Sequence, residues 1–376
     1  MFLHLTPGVA AVDQDGSNSP VAAPRPWTWS VIYKADVLGS NSPRTLAAMD
    51  NLNAQVDIDA AALFGWDDTA LHGELLSNHG SKLNRRVGTV QGISNIEVAQ
   101  NSARLYATWI EHQFKATKMR ALVGLYDLNS EFYATDASGM LIHPSFGIGI
   151  DFSQSGRNGP SIFPNLGLGV RIRQPIGQGG YVQAAVLDGT PGDPNNPGRT
   201  SISFGRSDGA LLVGEVGWQQ SDDSGPRPGH WGVGVWQYTR EGSATDGGSP
   251  QRNHGVYALA QGLLGGSGAG RAVGFVRAGA ASRRVNSVDL AFDGGVMVNS
   301  PWGPHGPRAL TAGVAVARFA SASPSRAEVA LEIDARWQPL ANVAFQPVLQ
   351  WVLHPSGQDR RAVIAGFRME WVLEPK

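Results

Sequence analysis

The 376-residue chain predicts an all-β fold, a single 16-stranded antiparallel transmembrane β-barrel with an inward-folded loop. Three observations carry that expectation. Polar and apolar residues alternate with period two along segments of about 9 to 12 residues, the length a tilted strand needs to cross a hydrocarbon layer. Such segments recur about sixteen times with no helical periodicity between them, and an even number returns both chain ends to one side of a membrane. No run of about 18 apolar residues exists, so a membrane span must use strands. Charged residues make up only 16 % of the chain, against about 25 % in a typical soluble protein.

Residues 1–26 contain Pro7, Pro20, Pro24 and Pro26 and read as a flexible N-terminal arm, with 27–376 forming one barrel domain. The first five strands are placed at 27–38, 49–63, 69–77, 103–113 and 119–127. In the second, Asn53, Gln55, Asp57 and Asp59 alternate with Ala54, Val56 and Ile58. The next five fall at 166–174, 180–188, 210–220, 229–240 and 253–264, where Glu215 and Gln219 oppose Leu212, Val216 and Trp218. The last six fall at 272–282, 287–298, 309–321, 327–339, 341–353 and 362–373. In AEVALEIDARW, from Ala327 to Trp337, Glu328, Glu332, Asp334 and Arg336 share one face, while Val329, Leu331, Ile333 and Trp337 share the other. Trp218, Trp337, Trp351 and Trp371 suit an outward aromatic girdle.

Between the strands, 339–342 and 321–325 read as tight turns, and 188–201 is a loop rich in turn-forming residues. The longest interruption, 128–164, is expected to fold partly inward and narrow the lumen.

The composition also excludes function classes. There is no cysteine, hence no thiolate metal site and no cysteine nucleophile. A formal net charge of -1 gives no reason to expect nucleic acid. Gly205-Arg206-Ser207-Asp208-Gly209 matches G-x-S-x-G but lacks the strand-to-helix setting of a nucleophile elbow. The glycine-rich run 265–270 joins two strands and reads as a hairpin turn. The nine histidines form no H-x-x-x-H pair, and Asp222-Asp223 reads as an exposed acidic turn. No catalytic set, metal site or cofactor is expected, and the chain is not expected to be an enzyme.

Several segments resemble the carbohydrate-selective porin family of bacterial outer membranes. They run in that family's order: Gly124-Leu125-Tyr126-Asp127-Leu128-Asn129-Ser130-Glu131-Phe132, Ser145-Phe146-Gly147, and Pro164-Asn165-Leu166-Gly167-Leu168-Gly169-Val170-Arg171. Tyr181-Val182-Gln183 leading to Asp188-Gly189-Thr190-Pro191-Gly192 follows, then Pro228-Gly229-His230-Trp231, and finally Phe345-Gln346-Pro347-Val348-Leu349-Gln350-Trp351 with His354-Pro355. The resemblance spans roughly 27–373. It implies a porin-type barrel in the outer membrane, passing mono- or small oligosaccharides by passive diffusion. Its partners would be sugars and outer-membrane lipid, with self-association left open.

A sugar channel needs flat aromatic faces to stack on a pyranose ring, and carboxylates, guanidinium groups and amides to exchange hydrogen bonds with hydroxyls. Inward-facing candidates are Asp57, Arg120, Tyr126, Arg171, Arg173, Gln183, Glu215, Trp236, Arg277, Glu332, Arg336 and Arg368. Asp127, Asn129 and Glu131 join them where a strand meets the longest loop, either touching sugar or pinning the loop. Two other readings of the same pattern stay open. One is a barrel for exopolysaccharide export with a periplasmic partner; the other is a soluble β-rich carbohydrate-binding protein.

Overall fold

In hydrocarbon every backbone N–H and C=O must be satisfied within the protein, so a strand-built span has to close on itself. It does so here. In the computed structural model, which describes residues 25–202, 208–220, 226–300, 302, 306–321 and 323–375, sixteen antiparallel strands form one closed barrel in which each pairs with its sequence neighbours. They are β1 (Trp27–Asn41), β2 (Arg44–Asp59), β3 (Thr69–Gly80), β4 (Ser102–Gln113), β5 (Arg120–Tyr126), β6 (Gly167–Ile176), β7 (Gly180–Asp188) and β8 (Ala210–Gln219). There follow β9 (Gly229–Gly242), β10 (Gln251–Gly265), β11 (Ala272–Ala281), β12 (Val288–Asn299), β13 (Ala309–Phe319), β14 (Ala327–Leu340), β15 (Val343–Leu353) and β16 (Arg361–Leu373). Closure is made by β1 against β16, from Val31↔Leu373 to Ser40↔Ile364.

The period-two pattern turns into two surfaces. Outward positions stay apolar and exposed, including Val170, Ile172, Val233, Val235, Leu331, Ile333 and Phe367. Inward positions on the same strands are polar and buried, including Arg171, Glu215, Arg277, Glu332 and Arg368. An apolar outer band with a polar interior is the arrangement of a lipid-embedded barrel and the inverse of a soluble one. Tryptophans collect near the rim that carries both ends of the barrel, where Trp218 faces Trp231 across β8 and β9, Tyr33 faces Trp371, and Trp337 faces Phe345. Trp351 lies on β15 nearer the other rim.

Fifteen of the sixteen sequence-predicted strands agree with the observed ones to within a few residues. The exception is β2, which begins five residues before the expected 49. Residues expected to end it instead form a helical turn, α1 (Ala60–Phe64), because the Asp59 side chain accepts from the Ala61 N–H at 3.0 Å and Gly65 closes it in the left-handed conformation. Residues 1–24 of the expected arm, most of the G-x-S-x-G match and Asp222-Asp223 lie outside the described residues.

The rim opposite the termini carries the longest connection, between β5 and β6, and both it and the β3–β4 connection enter the barrel. The β5–β6 connection, residues 127–166, is the expected inward segment, and it contains the short helix α3 (Ile150–Ser153). The β3–β4 connection, residues 81–101, is a second inward segment, beyond the one expected from the sequence. It holds α2 (Leu83–Val87), and its Leu83, Val87, Ile93 and Ile96 pack with Leu38, Val348, Val352 and Ile364 of the wall. Leu83 and Val87 stand four apart on one short helical turn, and Ile93 and Ile96 lie beyond it in irregular chain, so no period is sustained long enough for pattern alone to reveal them.

The face assignment is testable at Leu331, which lies outward on β14 and is 38 % exposed. Leu331→Arg is expected to cost about 2–4 kcal/mol near the bilayer midplane. Heat-modifiable electrophoretic mobility after refolding into liposomes should show reduced assembly, and normal assembly would reverse the inside–outside assignment.

Candidate functional site

An irregular segment inside a barrel brings unpaired backbone groups with it, and burial makes each costly unless the wall supplies partners. Four wall residues meet most of that demand. Glu215 accepts from the Tyr133 N–H at 3.1 Å, from the hydroxyls of Tyr181 and Tyr257 at 2.9 and 2.8 Å, and from Gln183 at 2.8 Å. Arg277 donates to the carbonyls of Tyr133, Ser145 and Gly147 at 3.0, 2.7 and 2.8 Å, while its Nε pairs with Asp293 at 2.9 Å. Glu332 accepts from the N–H groups of Ile142 and His143 at 2.6 and 2.9 Å. Glu328 does the same for Val90 and Gln91 at 2.9 Å each.

Amide side chains complete the attachment. Gln261 accepts from the Ala137 N–H, Gln346 donates to the Met140 carbonyl and Gln350 to the Ile93 carbonyl, all within 2.9 Å. Arg368 pairs with Asp36 at 2.7 Å and donates to Asn95, so β1 and β16 jointly grip the β3–β4 segment. The inward chain reaches far enough for Asp136 to pair with Arg227, on the β8–β9 connection of the opposite rim, at 2.5 Å.

Two of the expected aromatic contacts are occupied by packing. Trp236 stacks on Phe152 of α3 with ring centroids 4.7 Å apart, and Tyr238 meets its edge. Tyr126 is buried and donates to Glu131 at 2.6 Å. Asp127 accepts from the Asn129 N–H and from the Tyr106 hydroxyl, and Asn129 donates to the carbonyls of Phe132 and Gly147. Those residues therefore pin the start of the inward segment.

Of the other candidates, Asp57, Arg120 and Arg336 lie where solvent reaches the lumen, on the half nearest the rim of the termini, while Arg171, Arg173 and Gln183 are buried in the wall beside them. Arg171 bridges Glu111 and Glu131 at 2.6 and 2.7 Å, and Arg120 approaches Glu111 at 3.6 Å. Arg173 lies over the Tyr181 ring, 3.9 Å from its centroid, and donates to Gln183 at 2.5 Å. Across β14, β16 and β1, Arg336 pairs with Glu370 at 2.5 Å, and Lys34 stands 3.9 Å from the other Glu370 oxygen. Asp57, with 47 % of its side chain exposed, meets His72 at 2.7 Å, and His72 stacks on Trp109.

Lys34, His72, Trp109, Glu111 and Glu370 were missed as site residues. The β4 pair had a concealed signal: the register slips between Glu74 and Leu75, leaving Tyr106 as an extra residue, so simple alternation loses the phase of that strand.

Burial also tunes groups on the inward segment. Although burial favours the neutral carboxyl of Glu131, Arg171 beside it prevails and holds it below the usual carboxylate value. Asp151 has no such cationic partner: burial pushes its pKa up to about 7, although the Tyr133 hydroxyl at 3.3 Å and the backbone N–H groups of Asp151 and Phe152 lie against it. Gly149 and Gly279 enclose it, since a Cβ at either would approach a carboxylate oxygen to 2.5 and 2.3 Å. Among the described residues no cluster of His, Asp and Glu could hold a metal ion.

A closed sixteen-stranded wall with an apolar outer band, a polar lumen and inward-folded connections defines a porin-type channel. The chain belongs to the carbohydrate-selective porin, OprB, family, whose model matches residues 43–373. It is accordingly an outer-membrane carbohydrate porin, of a family and fold that form channels rather than enzymes. The fold is similar to the high-pH structure of Pseudomonas putida OprB, at TM-score 0.79 and 16% identity over 92% of this chain and 94% of that one. The low-pH structure of the same protein matches at TM-score 0.61 and 14% identity, covering 92% of each chain. The anion-selective porin from Comamonas acidovorans matches at TM-score 0.58 and 10% identity, over 92% and 99%. No curated protein matches the sequence.

Two outcomes follow for the inward segment. Glu215→Ala leaves two tyrosine hydroxyls and a backbone N–H without their buried acceptor, so unfolding in detergent should be easier by about 3 kcal/mol or more. Single-channel recordings of that variant should show larger or noisier currents. Because the Asp151 pKa is raised on folding, its contribution is fully present below the unfolded value near 3.8 and is lost as pH rises through about 7. Melting in detergent should be higher at pH 5 than at pH 8.5, and Asp151→Asn should shrink that difference; an unchanged difference would exclude Asp151 as its source.

Proposed function

We propose that sugars pass by diffusion between the inward segments and the half of the wall built from β16 and β1 to β6, bordered by the end of β14, and that their hydroxyls are exchanged among Lys34, Asp57, Glu111, Arg120, Arg336 and Glu370 of the wall and Glu131 of the inward segment. The observation that carries this reading is the contrast in exposure within the lumen. The polar residues on β8 to β15 are mostly spent on holding the backbone of the inward segments, with Glu215, Arg277 and Glu332 each at most 3 % exposed. The seven named here keep between 16 and 47 % of their side chains accessible.

Charge supports a neutral solute. Lys34, Arg120 and Arg336 are interspersed around the lumen with Asp57, Glu111, Glu131 and Glu370, and each cation stands within 4 Å of an acid. Such pairs cancel at a distance, so neither sign of ion is strongly drawn in, while each oxygen or nitrogen can still trade its partner for a hydroxyl. Half-exposed pairs separate at low cost, and binding stays weak enough for release. Trp109, beside His72 on the lumen side of β4, supplies a flat apolar surface for the ring itself.

In planar bilayers, millimolar glucose and short glucose oligomers should reduce single-channel current. Arg120→Gln should weaken the block by about two- to fivefold, the effect of losing one half-exposed polar contact, with melting in detergent unchanged. Current that ignores every sugar would remove the reading. A wide, sugar-insensitive conductance would instead favour an export barrel.

A further inference from the structure

We propose a second carbohydrate site, selective for sugars that carry an anionic group, at the rim opposite the termini. It lies between the start of β4 and residues 196–200 of the β7–β8 connection. A cavity of about 510 Å³ opens there, within the range of about 300–1,000 Å³ usual for small-molecule sites. Gln100, Asn101, Ser102, Arg104, Asn196 and Arg199 line it, so amide and hydroxyl groups accompany two guanidinium groups and no carboxylate.

The charge at this place is unbalanced, unlike that of the lumen. Arg104 is 8 % exposed, and its guanidinium is held only by neutral oxygens, those of Ser102 at 2.6 Å and Asn165 at 2.7 Å. Arg199 is exposed, and its backbone N–H bonds to the Asn196 carbonyl. Among the described residues neither guanidinium has an ion-pair partner. Lys82 adds a third positive charge nearby, donating to the Asn101 side chain at 2.6 Å. The nearest acid of the β3–β4 segment, Glu97, is directed instead to the Asn84 N–H, which it accepts at 3.0 Å.

The position is also fixed rather than loose. Thr200 donates its hydroxyl to the Leu105 carbonyl of β4 at 2.6 Å. Gly198 lies so close that an added Cβ would meet the Gln100 amide at 3.3 Å and Ser102 at 3.5 Å. Arg104 and Arg199 are thereby placed on two sides of one opening. A carboxylate or phosphate suits the paired guanidinium groups, and the hydroxyls of an attached sugar suit Gln100, Asn101, Ser102 and Asn196. A sugar acid or a sugar phosphate satisfies both halves; glucose satisfies only one.

The choice of a carbohydrate rests on the channel reading, and the test separates the two. The detergent-solubilised barrel is titrated calorimetrically with gluconate, glucose 6-phosphate and glucose, while glucose block is measured in bilayers on the same preparations. Either anionic sugar should bind about tenfold more tightly than glucose, the ratio expected of an exposed charge pair at Arg199 with a further contact at Arg104, and the arms show whether carboxylate or phosphate is preferred. Raising salt should reduce the preference. Arg199→Gln, on a surface connection, should abolish most of it without changing glucose block, and Arg104→Gln combined with it should abolish the rest. Equal binding of all three sugars, or an undiminished preference in Arg199→Gln, overturns the rim site while leaving the channel reading in place. Absence of glucose block with the preference intact and sensitive to Arg199→Gln overturns the channel reading alone.

Discussion

The structure depends on one constraint, that backbone brought into the centre of a barrel must find its hydrogen bonds on the wall. Residues 127–166 supply the backbone, and Glu215, Arg277 and Glu332 meet it from three different strands. Each of these charged side chains is nearly inaccessible to solvent. A charge buried this deeply is tolerable only when paired or multiply hydrogen-bonded. Arg277 meets that condition through three carbonyls and Asp293, and Glu215 through four donors. The polar half-wall from β8 to β15 is therefore chiefly a seat for the inward chain, and that leaves the opposite half to face the solute.

How much of this was legible in the sequence differs by level. The wall was almost wholly legible, because alternation of side chains on a strand is a local property. Ala327 to Trp337 shows it plainly, with Glu328, Glu332, Asp334 and Arg336 on the inner face and Leu331, Ile333 and Trp337 on the outer. The inner face of Trp236, Arg277 and Arg368 was legible for the same reason. What each inner residue touches was not, since that depends on where a distant loop comes to rest. Glu215 meets Tyr133 across 82 positions and Glu332 meets Ile142 across 190. The β3–β4 segment was illegible for a related reason, because beyond the single helical turn of Leu83 and Val87 its apolar residues are spaced to suit wall residues from β1, β15 and β16.

The division of labour within the lumen also sets where change is tolerated. Substitutions at Asp57 or Arg120 alter a half-exposed pair whose loss is compensated by water. Substitutions at Arg277 or Glu332 strand several buried groups at once, at a cost expected of about 3–5 kcal/mol when one member of a buried pair is removed. Selectivity can thus be adjusted on one side of the barrel without disturbing the attachment on the other.

The extra residue in β4 carries a consequence of its own. Above Tyr106 the lumen side of the strand is its even-numbered positions, Arg104 among them; below it the lumen side is the odd-numbered ones, with Trp109 and Glu111. A strictly regular strand holding the same residues would turn one half by a full face, so that Trp109 and Glu111 would point into lipid and Thr108 and Ile110 into the channel. The bulge absorbs the extra residue and so keeps Arg104, Trp109 and Glu111 on the lumen side together. Deleting one residue at Tyr106 would straighten the strand yet leave all three facing the channel.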